Sequence, residues 1–445
     1  MFTTQALLQK LAPCTDAPAL WLGLSGGLDS MVLLHALAQL RQQHHLPPIT
    51  AIHVHHGLHS QADAWAEQCA AACAALDIPL RVERVQLQPG ASVENAAREA
   101  RYAVFERAIG PGEVLLLAHH RDDQIETLLF RLFRGTGLRG LAGMPRRRKL
   151  SAGELLRPML DWTRADLAEW AGPQGLSWVD DPANNDPRFA RTALRHDVLP
   201  CLRAGWPMLD VSLLRLAEHT EEALDLLDER AHEDWQSIRS DFDDPWLMIS
   251  PALHVERLLA LRRPRQVNVL RYWLRHHGWQ MPDQRRLHAV IEQLNARQDS
   301  LPSIKLDGYV LTRSVGHLWL VTEQQPFGQV QPICVPGTVE LQGALGLLSI
   351  CPGPGGLAPL NGQWTVRYRQ GGERIKPVGR PTQSLKQLFQ EASVPVWLRD
   401  QLPLLYRDER LVSVAGRWYA EDACVAPDQS GWHVSWEPAR PNTPR

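Results

Sequence analysis

Residues 21–30 read WLGLSGGLDS and join an apolar run to a helical pattern, MVLLHALAQL, through two adjacent glycines. The apolar run predicts a buried strand, and the glycines predict a turn between that strand and a helix. Backbone N–H groups and the positive end of the helix dipole then face one point, which is where phosphate groups bind. Ser25 and Ser30 add hydroxyl donors there, and Asp29 is a candidate ligand for Mg²⁺. The stretch therefore predicts a phosphate-binding loop.

The loop is not a Walker motif, because no lysine follows its glycines. It resembles the SGGxDS loop of the PP-loop ATP pyrophosphatases, which cleave ATP to AMP and pyrophosphate. The alternative is a strand-to-helix turn whose glycines serve only packing. Six matching positions directly after an apolar strand favour the phosphate loop. The resemblance implies that ATP contacts the residues of this loop, Ser25, Gly26, Gly27, Leu28, Asp29 and Ser30.

The composition is that of an ordinary soluble globular protein, with 44% hydrophobic and 22% charged residues among 445. That length predicts two or three domains. The sequence contains neither an apolar run of about 18 residues nor a signal-peptide pattern, so we expect a cytoplasmic protein. The seven cysteines include no CxxC pair, which predicts reduced thiols and argues against zinc or an iron–sulfur cluster.

Positive charge is concentrated in two blocks, although the net charge is only −2. Residues 130–150 contain seven basic residues and no acid, and residues 257–282 contain six arginines and no acid. Blocks of one sign are often solvated surface. The presence of two such blocks, with Trp273 and Trp279 nearby, favours a polyanionic partner.

Predicted strands and helices alternate along the N-terminal third of the chain. Apolar strands are expected in ITAIHVHH, IPLRVERV and EVLLLAHH, with helical segments between them. This alternation predicts an α/β domain with a doubly wound parallel sheet, in which ligands bind beyond the carboxyl ends of the strands. Because SGGLDS, HVHHGLH and AHHRDD all follow strands, we expect these polar clusters to meet in one crevice.

The predicted domains are a catalytic ATP-binding domain at 1–206, a helical linker and middle domain at 207–323, and a linker with a small α+β domain at 324–445. SLLRLAEHTEEALDLLDERAHEDW predicts one long helix after the first domain. Short strands such as WTVRYR surround one helix, SLKQLFQEA, near the C-terminus. GTGLRG follows a helix rather than a strand, so we interpret it as a basic, flexible loop and not as a dinucleotide fingerprint.

Two carboxylates, Asp123 and Glu126, lie three residues apart and share one side of a predicted helix. Near a triphosphate, such a pair holds Mg²⁺ or positions an amine, and an acid-rich first helical turn is the alternative. Arg98 and Arg101 have the same spacing and are candidates to clamp phosphate oxygens, with solvated surface as an equal alternative. The histidines of HVHHGLH lack an acid or cysteine at ligand spacing, which argues against a zinc site.

The order of the motifs resembles that of the tRNA(Ile)-lysidine synthases. The motifs that carry the resemblance are SGGLDS, HVHHGLH, NAAREARY, AHHRDDQIETLLFRLFRGTGLRGLAGM, LRPML, DDPANNDPRFARTALRHDVLP, VRYRQGGERIKP and LKQLFQEASVPVWLRDQLPLLY. Two positions depart from the family pattern. His59 stands where arginine usually follows HGL, and Thr192 stands where asparagine is common.

The resemblance implies an enzyme that joins free L-lysine to the wobble cytidine of the CAU-anticodon isoleucine tRNA. In the implied reaction the cytidine carbonyl oxygen attacks the α-phosphorus of ATP, pyrophosphate leaves, and the lysine ε-amine then displaces AMP. The implied cofactors are ATP and Mg²⁺, with Asp29 and Asp123 as candidate metal ligands. The implied catalytic residues are Asp29, His119, Asp123 and Glu126, and the tRNA contacts are expected from Arg139, Arg188, Arg191, Arg195, Arg262, Arg263, Arg374 and Lys376.

Two other functions stay open at this point. A PP-loop tRNA thiolase shares the fold, but several such enzymes use CxxC cysteines, which this chain lacks. A non-catalytic RNA-binding protein explains the arginine blocks but leaves SGGLDS and the paired carboxylates without a role. No membrane partner is expected. The oligomeric state is open, with a homodimer as one option.

Overall fold

The computed structural model describes residues 1–86, 93–180, 190–279, 281–295, 303–306, 308–322, 330–342 and 345–439. The chain divides into two compact units, Met1–Asp225 and Leu226–Arg445. Within the described ranges, every helix is too short or too polar to traverse a lipid bilayer.

A six-stranded sheet forms the centre of the N-terminal unit. Its strands are β1 (Leu20–Gly23), β2 (Ile49–His55), β3 (Leu80–Arg84), β4 (Val114–Leu117), β5 (Arg147–Leu150) and β6 (Gly153–Leu156). The spatial order is β3-β2-β1-β4-β6-β5, and all neighbours pair in parallel except β5, which runs antiparallel to β6. The predicted α/β class with a parallel sheet is therefore confirmed. Strands β5 and β6, which pair with each other at one edge of the sheet, are additions to that prediction.

Helices connect these strands and cover the sheet. They are α1 (Thr4–Leu11), α2 (Leu28–Gln43), α3 (Ala62–Ala75), α4 (Val93–Ala108), α5 (Arg121–Phe133), α6 (Leu138–Leu141), α7 (Arg164–Ala171), α8 (Ala190–Ala193) and α9 (Leu199–Gly205). A π-turn, Leu194–Val198, lies between α8 and α9. Helix α2 is apolar on most sides, and Leu33, Leu34 and Leu37 are completely buried in the core. Their burial fixes the start of α2, and with it the phosphate loop, against the sheet.

Helix α10 (Leu209–Ile238) is 30 residues long, and the boundary between the two units falls within it. It confirms the long helix predicted from the acidic amphipathic pattern of this segment.

The middle region contains three helices and a four-stranded antiparallel sheet among its described residues. The helices are α11 (Val255–Ala260), α12 (Arg263–His276) and α13 (Gln284–Asn295), and the strands, in the order β7-β10-β9-β8, are β7 (Ala252–His254), β8 (Ser303–Leu306), β9 (Tyr309–Ser314) and β10 (His317–Thr322). The helices confirm the prediction, and the sheet is an addition to it. Trp273 is fully buried in this core, so its ring is not available to a partner at the surface.

The C-terminal region has the predicted α+β character. Its strands are β11 (Gln331–Pro332), β12 (Gly337–Leu341), β13 (Gly346–Pro354), β14 (Trp364–Arg367), β15 (Arg374–Ile375), β16 (Gln383–Ser384), β17 (Leu404–Arg407), β18 (Arg410–Val414), β19 (Trp418–Tyr419) and β20 (Ser430–Glu437). They form sheets of order β11-β14-β17-β18-β19, β12-β13-β20 and β15-β16. The helices α14 (Leu385–Glu391) and α15 (Val396–Arg399) pack with them around Phe389 and Leu398.

The segment GTGLRG is more ordered than its interpretation as a flexible loop suggests. It includes the single-turn helix α6, for which Gly137 is the N-cap. The end of the segment is attached to α5, because Arg131 Nη1 donates to the Gly140 carbonyl at 3.3 Å. Ser92, the predicted cap of α4, lies outside the described residues.

Candidate active site

The phosphate loop connects β1 to α2 and is braced by its own hydroxyl groups. Gly26 has a φ of 87°, a left-handed value that glycine adopts without steric cost, and its carbonyl accepts the Val179 N–H at 2.9 Å. Ser30 Oγ lies 3.0 Å from Ser25 Oγ, donates to the Gly27 carbonyl at 3.0 Å and accepts the Ser25 N–H at 3.2 Å. These bonds fix the turn that directs backbone amides and the N-terminus of α2 toward one point.

A cavity of about 420 Å³ opens at the carboxyl ends of β1, β2 and β4. Its wall contains residues from all three polar clusters, namely Ser25, Asp29, Ser30, His53, His55, His56, His59, His119 and Asp123. The expected convergence of these clusters is therefore confirmed. Arg101 also lines the cavity, whereas Arg98 lies over the ring of Tyr102, with its guanidinium carbon 5.0 Å from the ring centroid. Leu28 begins α2 and is buried, so its backbone is the part that can reach a phosphate.

Asp29 and Asp123 face the cavity from two different helices. Burial raises the pKa of Asp29, and the charge of His120 opposes that shift. Asp29 Oδ1 is buried and has no hydrogen-bond partner among the described residues. Asp123 Oδ2 accepts the His120 N–H at 3.0 Å. A buried carboxylate oxygen without a donor is a group that a cation can satisfy, so Asp29 is the strongest candidate metal ligand here.

Glu126 is buried, and Arg195 binds both of its carboxylate oxygens. The distances are 2.6 Å from Nε to Oε1 and 2.9 Å from Nη2 to Oε2, and Arg195 Nη2 also lies 3.8 Å from Asp123 Oδ1. Bidentate pairs of this kind fix geometry as well as adding energy. Arg195 comes from the π-turn, 69 residues further along the chain. The structure thus places this predicted tRNA contact beside Asp123 and Glu126, the carboxylates predicted to be catalytic.

His119 and His120 follow β4 and have different partners. Burial lowers the pKa of His119 to about 4, so its imidazole is neutral at pH 7. His120, which the sequence reasoning missed, caps α5, and its Nδ1 accepts the Asp123 N–H at 3.4 Å. Its Nε2 lies 3.6 Å from Asp29 Oδ2 and 3.5 Å from Asp123 Oδ2. The sequence signal for this capping role is the position of His120 directly before an acid-rich helix start. The signal is weak, because histidine is not among the preferred capping residues.

The other histidines of the wall engage mainly in contacts within the protein. His53 Nδ1 lies 2.8 Å from the carbonyl oxygen of Leu24, and His55 Nε2 lies 3.2 Å from Asp63 Oδ1. Burial lowers the pKa of His56 to about 4. The described residues contain no group of three or more histidine, cysteine or acidic side chains arranged to hold a metal ion.

The two departures from the family pattern have identifiable surroundings. His59 stacks on Trp65 in the cavity wall, with ring centroids 4.8 Å apart. Thr192 is buried within α8. His59 therefore lies in the wall of the cavity, whereas Thr192 is packed inside the protein.

The predicted tRNA contacts other than Arg195 come from several parts of the chain. Arg188 lies outside the described residues. The others lie on four elements or next to them: Arg139 in α6, Arg191 in α8, Arg262 and Arg263 at the start of α12, and Arg374 and Lys376 in and after β15. Arg263 lies 3.5 Å from a carboxylate oxygen of Glu292, and Lys376 is ion-paired with Glu421. Arg139, Arg262 and Arg374 are exposed, and within the described residues Arg262 and Arg374 form no ion pair with a carboxylate, which leaves their guanidinium groups well placed to meet a phosphate.

Comparison with known proteins assigns most of the chain to families. A PP-loop domain matches residues 2–202, a TilS substrate binding domain matches 253–319, and a TilS substrate C-terminal domain matches 364–436. The chain is 44% identical to the tRNA(Ile)-lysidine synthase of Pseudomonas putida, over 91% of this chain and 94% of that protein. It is 43% identical to the Pseudomonas aeruginosa enzyme of the same name, over 97% and 96%, and 39% identical to that of Coxiella burnetii, over 99% and 98%. Because these similarities extend over nearly the whole length of both proteins, the chain belongs to the tRNA(Ile)-lysidine synthase family.

Proposed function

We propose that this protein joins free L-lysine to the wobble cytidine of the isoleucine tRNA with a CAU anticodon, and that ATP is converted to AMP and pyrophosphate. The observation that carries the proposal is the phosphate loop at residues 25–30. It opens into a cavity of about 420 Å³ in a chain whose relatives are named for isoleucine tRNA and lysidine. Adenylation of the cytidine carbonyl oxygen turns a poor leaving group into a good one, which the lysine amine then displaces as AMP.

The loop suits the phosphates of ATP. The amides of Gly26 and Gly27 and the N-terminus of the 16-residue helix α2 supply donors and partial positive charge. The hydroxyl groups of Ser25 and Ser30 stand beside them, and Arg101 adds a full positive charge to the cavity wall. These groups stabilise the negative charge that develops as pyrophosphate leaves.

Magnesium fits this site through Asp29, with Asp123 as a second ligand. The donor set is suitable, because one buried oxygen of Asp29 lacks a hydrogen-bond partner among the described residues. In nucleotide sites Mg²⁺ takes one or two carboxylates and completes its coordination with phosphate oxygens and water. Bound there, the ion would supply positive charge against the departing pyrophosphate.

Asp123 is the carboxylate best placed to receive a proton from the lysine amine. That amine attacks only in its neutral form, so a base must be near it. Both oxygens of Glu126 are bound by Arg195, whereas Asp123 lines the cavity. We therefore assign proton acceptance to Asp123 and alignment of the site to Glu126 through Arg195. Neutral His119 serves as a hydrogen-bonding group in the wall.

The two remaining domains are proposed to select the tRNA, with residues 1–206 performing the chemistry, 207–323 forming the linker and middle domain, and 324–445 forming the C-terminal domain. Elongator and initiator methionine tRNAs share the CAU anticodon, so contacts elsewhere on the tRNA must discriminate against them. The matches to substrate binding domains at 253–319 and 364–436 support this division. In this proposal, exposed arginines such as Arg262 and Arg374 fix the position of the tRNA on the protein by contacting its phosphates.

Sulfur transfer is not favoured by the site. The described residues of the cavity wall include no cysteine. Cys69 lies beneath Gly26, and burial raises its pKa to about 12, so its thiol is protonated and a poor nucleophile. Simple RNA binding would not require the phosphate loop.

The proposal is tested by incubating the full chain with CAU isoleucine tRNA, ATP, Mg²⁺ and lysine, and then measuring nucleoside masses. We expect the wobble cytidine to gain one lysine residue, with one AMP formed for each product. Methionine tRNA with the same anticodon is the matched control and should remain unmodified. A product containing sulfur, or binding of tRNA without AMP formation, would contradict the proposal.

A further inference from the structure

A group of arginines beside the cavity lacks carboxylate partners. Within the described residues, none of these arginines forms an ion pair with an aspartate or glutamate. By contrast, Arg146 is paired with Asp161, and Arg147 is paired with Glu154. We call the group the arginine track, and it consists of Arg98, Arg131, Arg134, Arg148, Arg157 and Arg191.

One end of the track surrounds Tyr102. The guanidinium carbons of Arg98 and Arg148 lie 5.0 and 5.1 Å from the centroid of its ring. Arg157, only 2% exposed, lies with Nη2 3.4 Å from the Tyr102 hydroxyl oxygen. The ring of Tyr102 contacts the ring of Phe105, a residue of the cavity wall, with centroids 6.1 Å apart. This end of the track therefore lies next to the cavity.

The other end surrounds Phe130. Arg134 and Arg191 lie 5.1 and 5.9 Å from the centroid of its ring. Arg131 connects the two ends, since its Nη1 donates to the Gly143 carbonyl at 2.6 Å, and Arg157 Nη1 donates to the carbonyl of nearby Pro145 at 2.7 Å. Beside Arg134, the ring of Phe133 is 64% exposed.

Several like charges held close together repel one another unless an anion joins them. A line of arginines suits an extended polyanion better than the compact triphosphate, for which the loop at residues 25–30 already provides donors. Cationic groups interleaved with aromatic rings are also how proteins hold single-stranded nucleic acid.

We propose that the arginine track, apart from buried Arg157, binds the phosphodiester backbone of the single-stranded anticodon loop, and that Phe133 stacks on one of its bases. This inference rests on the proposed function, because it takes tRNA as the substrate. It assigns to the N-terminal unit a substrate-binding surface distinct from the exposed arginines of the other unit. The surface would present the wobble cytidine to the cavity.

The test uses the full chain and measures tRNA affinity at several salt concentrations. Arg134→Ala and Arg148→Ala should each weaken binding and reduce the slope of log K against log salt by roughly 0.7, the value for one contact to a single strand. Arg147→Ala is the matched control, because Arg147 neighbours Arg148 on β5 and is paired with Glu154. It should leave the slope unchanged, and all three variants should keep the wild-type KM for ATP.

A second pair of variants tests stacking. Phe133→Leu should weaken tRNA binding roughly tenfold without changing the salt slope, and Phe133→Trp should retain affinity, because a leucine has no π-face for a base. Because Phe133 is highly exposed, neither substitution should change the melting temperature. A lowered melting temperature would identify a folding defect.

Two results would overturn the inference. One is an unchanged affinity and salt slope for Arg134→Ala and Arg148→Ala, and the other is an increased KM for ATP with tRNA affinity intact, which would assign the track to the nucleotide. Failure of the wild-type protein to bind or modify tRNA would instead contradict the proposed function. The wild-type and variant measurements therefore separate the two failures.

Discussion

His120 caps α5 and also lies close to two carboxylates of the candidate site, Asp29 and Asp123. Replacement of His120 can separate these two roles. Because Nδ1 accepts the Asp123 N–H, a neutral imidazole carries its proton on Nε2. That nitrogen lies 3.6 Å from Asp29 Oδ2 and 3.5 Å from Asp123 Oδ2. Asparagine at the same position can make the capping bond but cannot extend to both carboxylates, whereas alanine can do neither.

The expected magnitudes differ for stability and for catalysis. Loss of a cap costs about 1 kcal/mol, so His120→Ala should be destabilised by at least that amount, and His120→Asn should stay close to wild type. A hydrogen bond to a charged group contributes about 1.5–3 kcal/mol. The Nε2 distances of 3.5 and 3.6 Å exceed those of a direct hydrogen bond, which favours the lower end of that range. We therefore expect kcat for AMP formation to fall about tenfold in His120→Asn.

The assay measures AMP and pyrophosphate with saturating tRNA and lysine, together with the melting temperature of each variant. An independent readout is the Mg²⁺ concentration needed for a non-hydrolysable ATP analogue to stabilise the protein, which should rise in His120→Asn if the carboxylates lose their alignment. The KM for tRNA should not change. A His120→Asn protein with wild-type kcat and wild-type Mg²⁺ dependence would refute the reasoning and leave His120 as a helix cap.

Three further predictions concern the nucleotide site, the thiols and the tRNA-binding residues. Asp29→Asn should lower AMP formation about 10²–10³-fold while the protein stays folded, and unchanged pyrophosphate release would remove Asp29 from the nucleotide site. Serine at each of the seven cysteines in turn should leave the product unchanged, and loss of product in a folded variant would reopen sulfur transfer. Arg374→Ala, or Arg262→Ala combined with Arg263→Ala, should raise the KM for tRNA several-fold without changing the KM for ATP. A fragment ending at residue 206 that still prefers isoleucine tRNA to methionine tRNA would contradict the domain assignment.

The N-terminal fold was predictable because its signals are local. Strands β1, β2 and β4 are largely apolar runs followed by segments with helical periodicity, so the order of these elements could be predicted directly, whereas β3 is mostly polar. The sheet of the middle region was harder to predict. Val315 and Gly316, both with positive φ, join β9 to β10 as a hairpin, but only the glycine suggests this turn in the sequence.

The candidate site was predictable to the extent that its residues follow strands. Asp29 and Asp123 could be brought together from sheet topology alone, because ligand sites lie at the carboxyl ends of parallel strands. The partner of Glu126 could not be found in this way. Arg195 is 69 residues distant, and no local pattern links it to the acid-rich start of α5. His120 was missed for a different reason, since two adjacent histidines do not show which one faces the carboxylates.

The π-turn at Leu194–Val198 makes the length of this segment as important as its composition. A π-turn contains one residue more than an α-helical turn. Deletion of one residue from the π-turn, after Arg195, would rotate the side chains before the deletion by about 100° relative to α9. Arg195 would then turn away from Glu126. Glu126 would then be a buried carboxylate without a partner, which is strongly destabilising. Among homologous sequences, insertions and deletions should therefore be rarer here than substitutions of the exposed side chains.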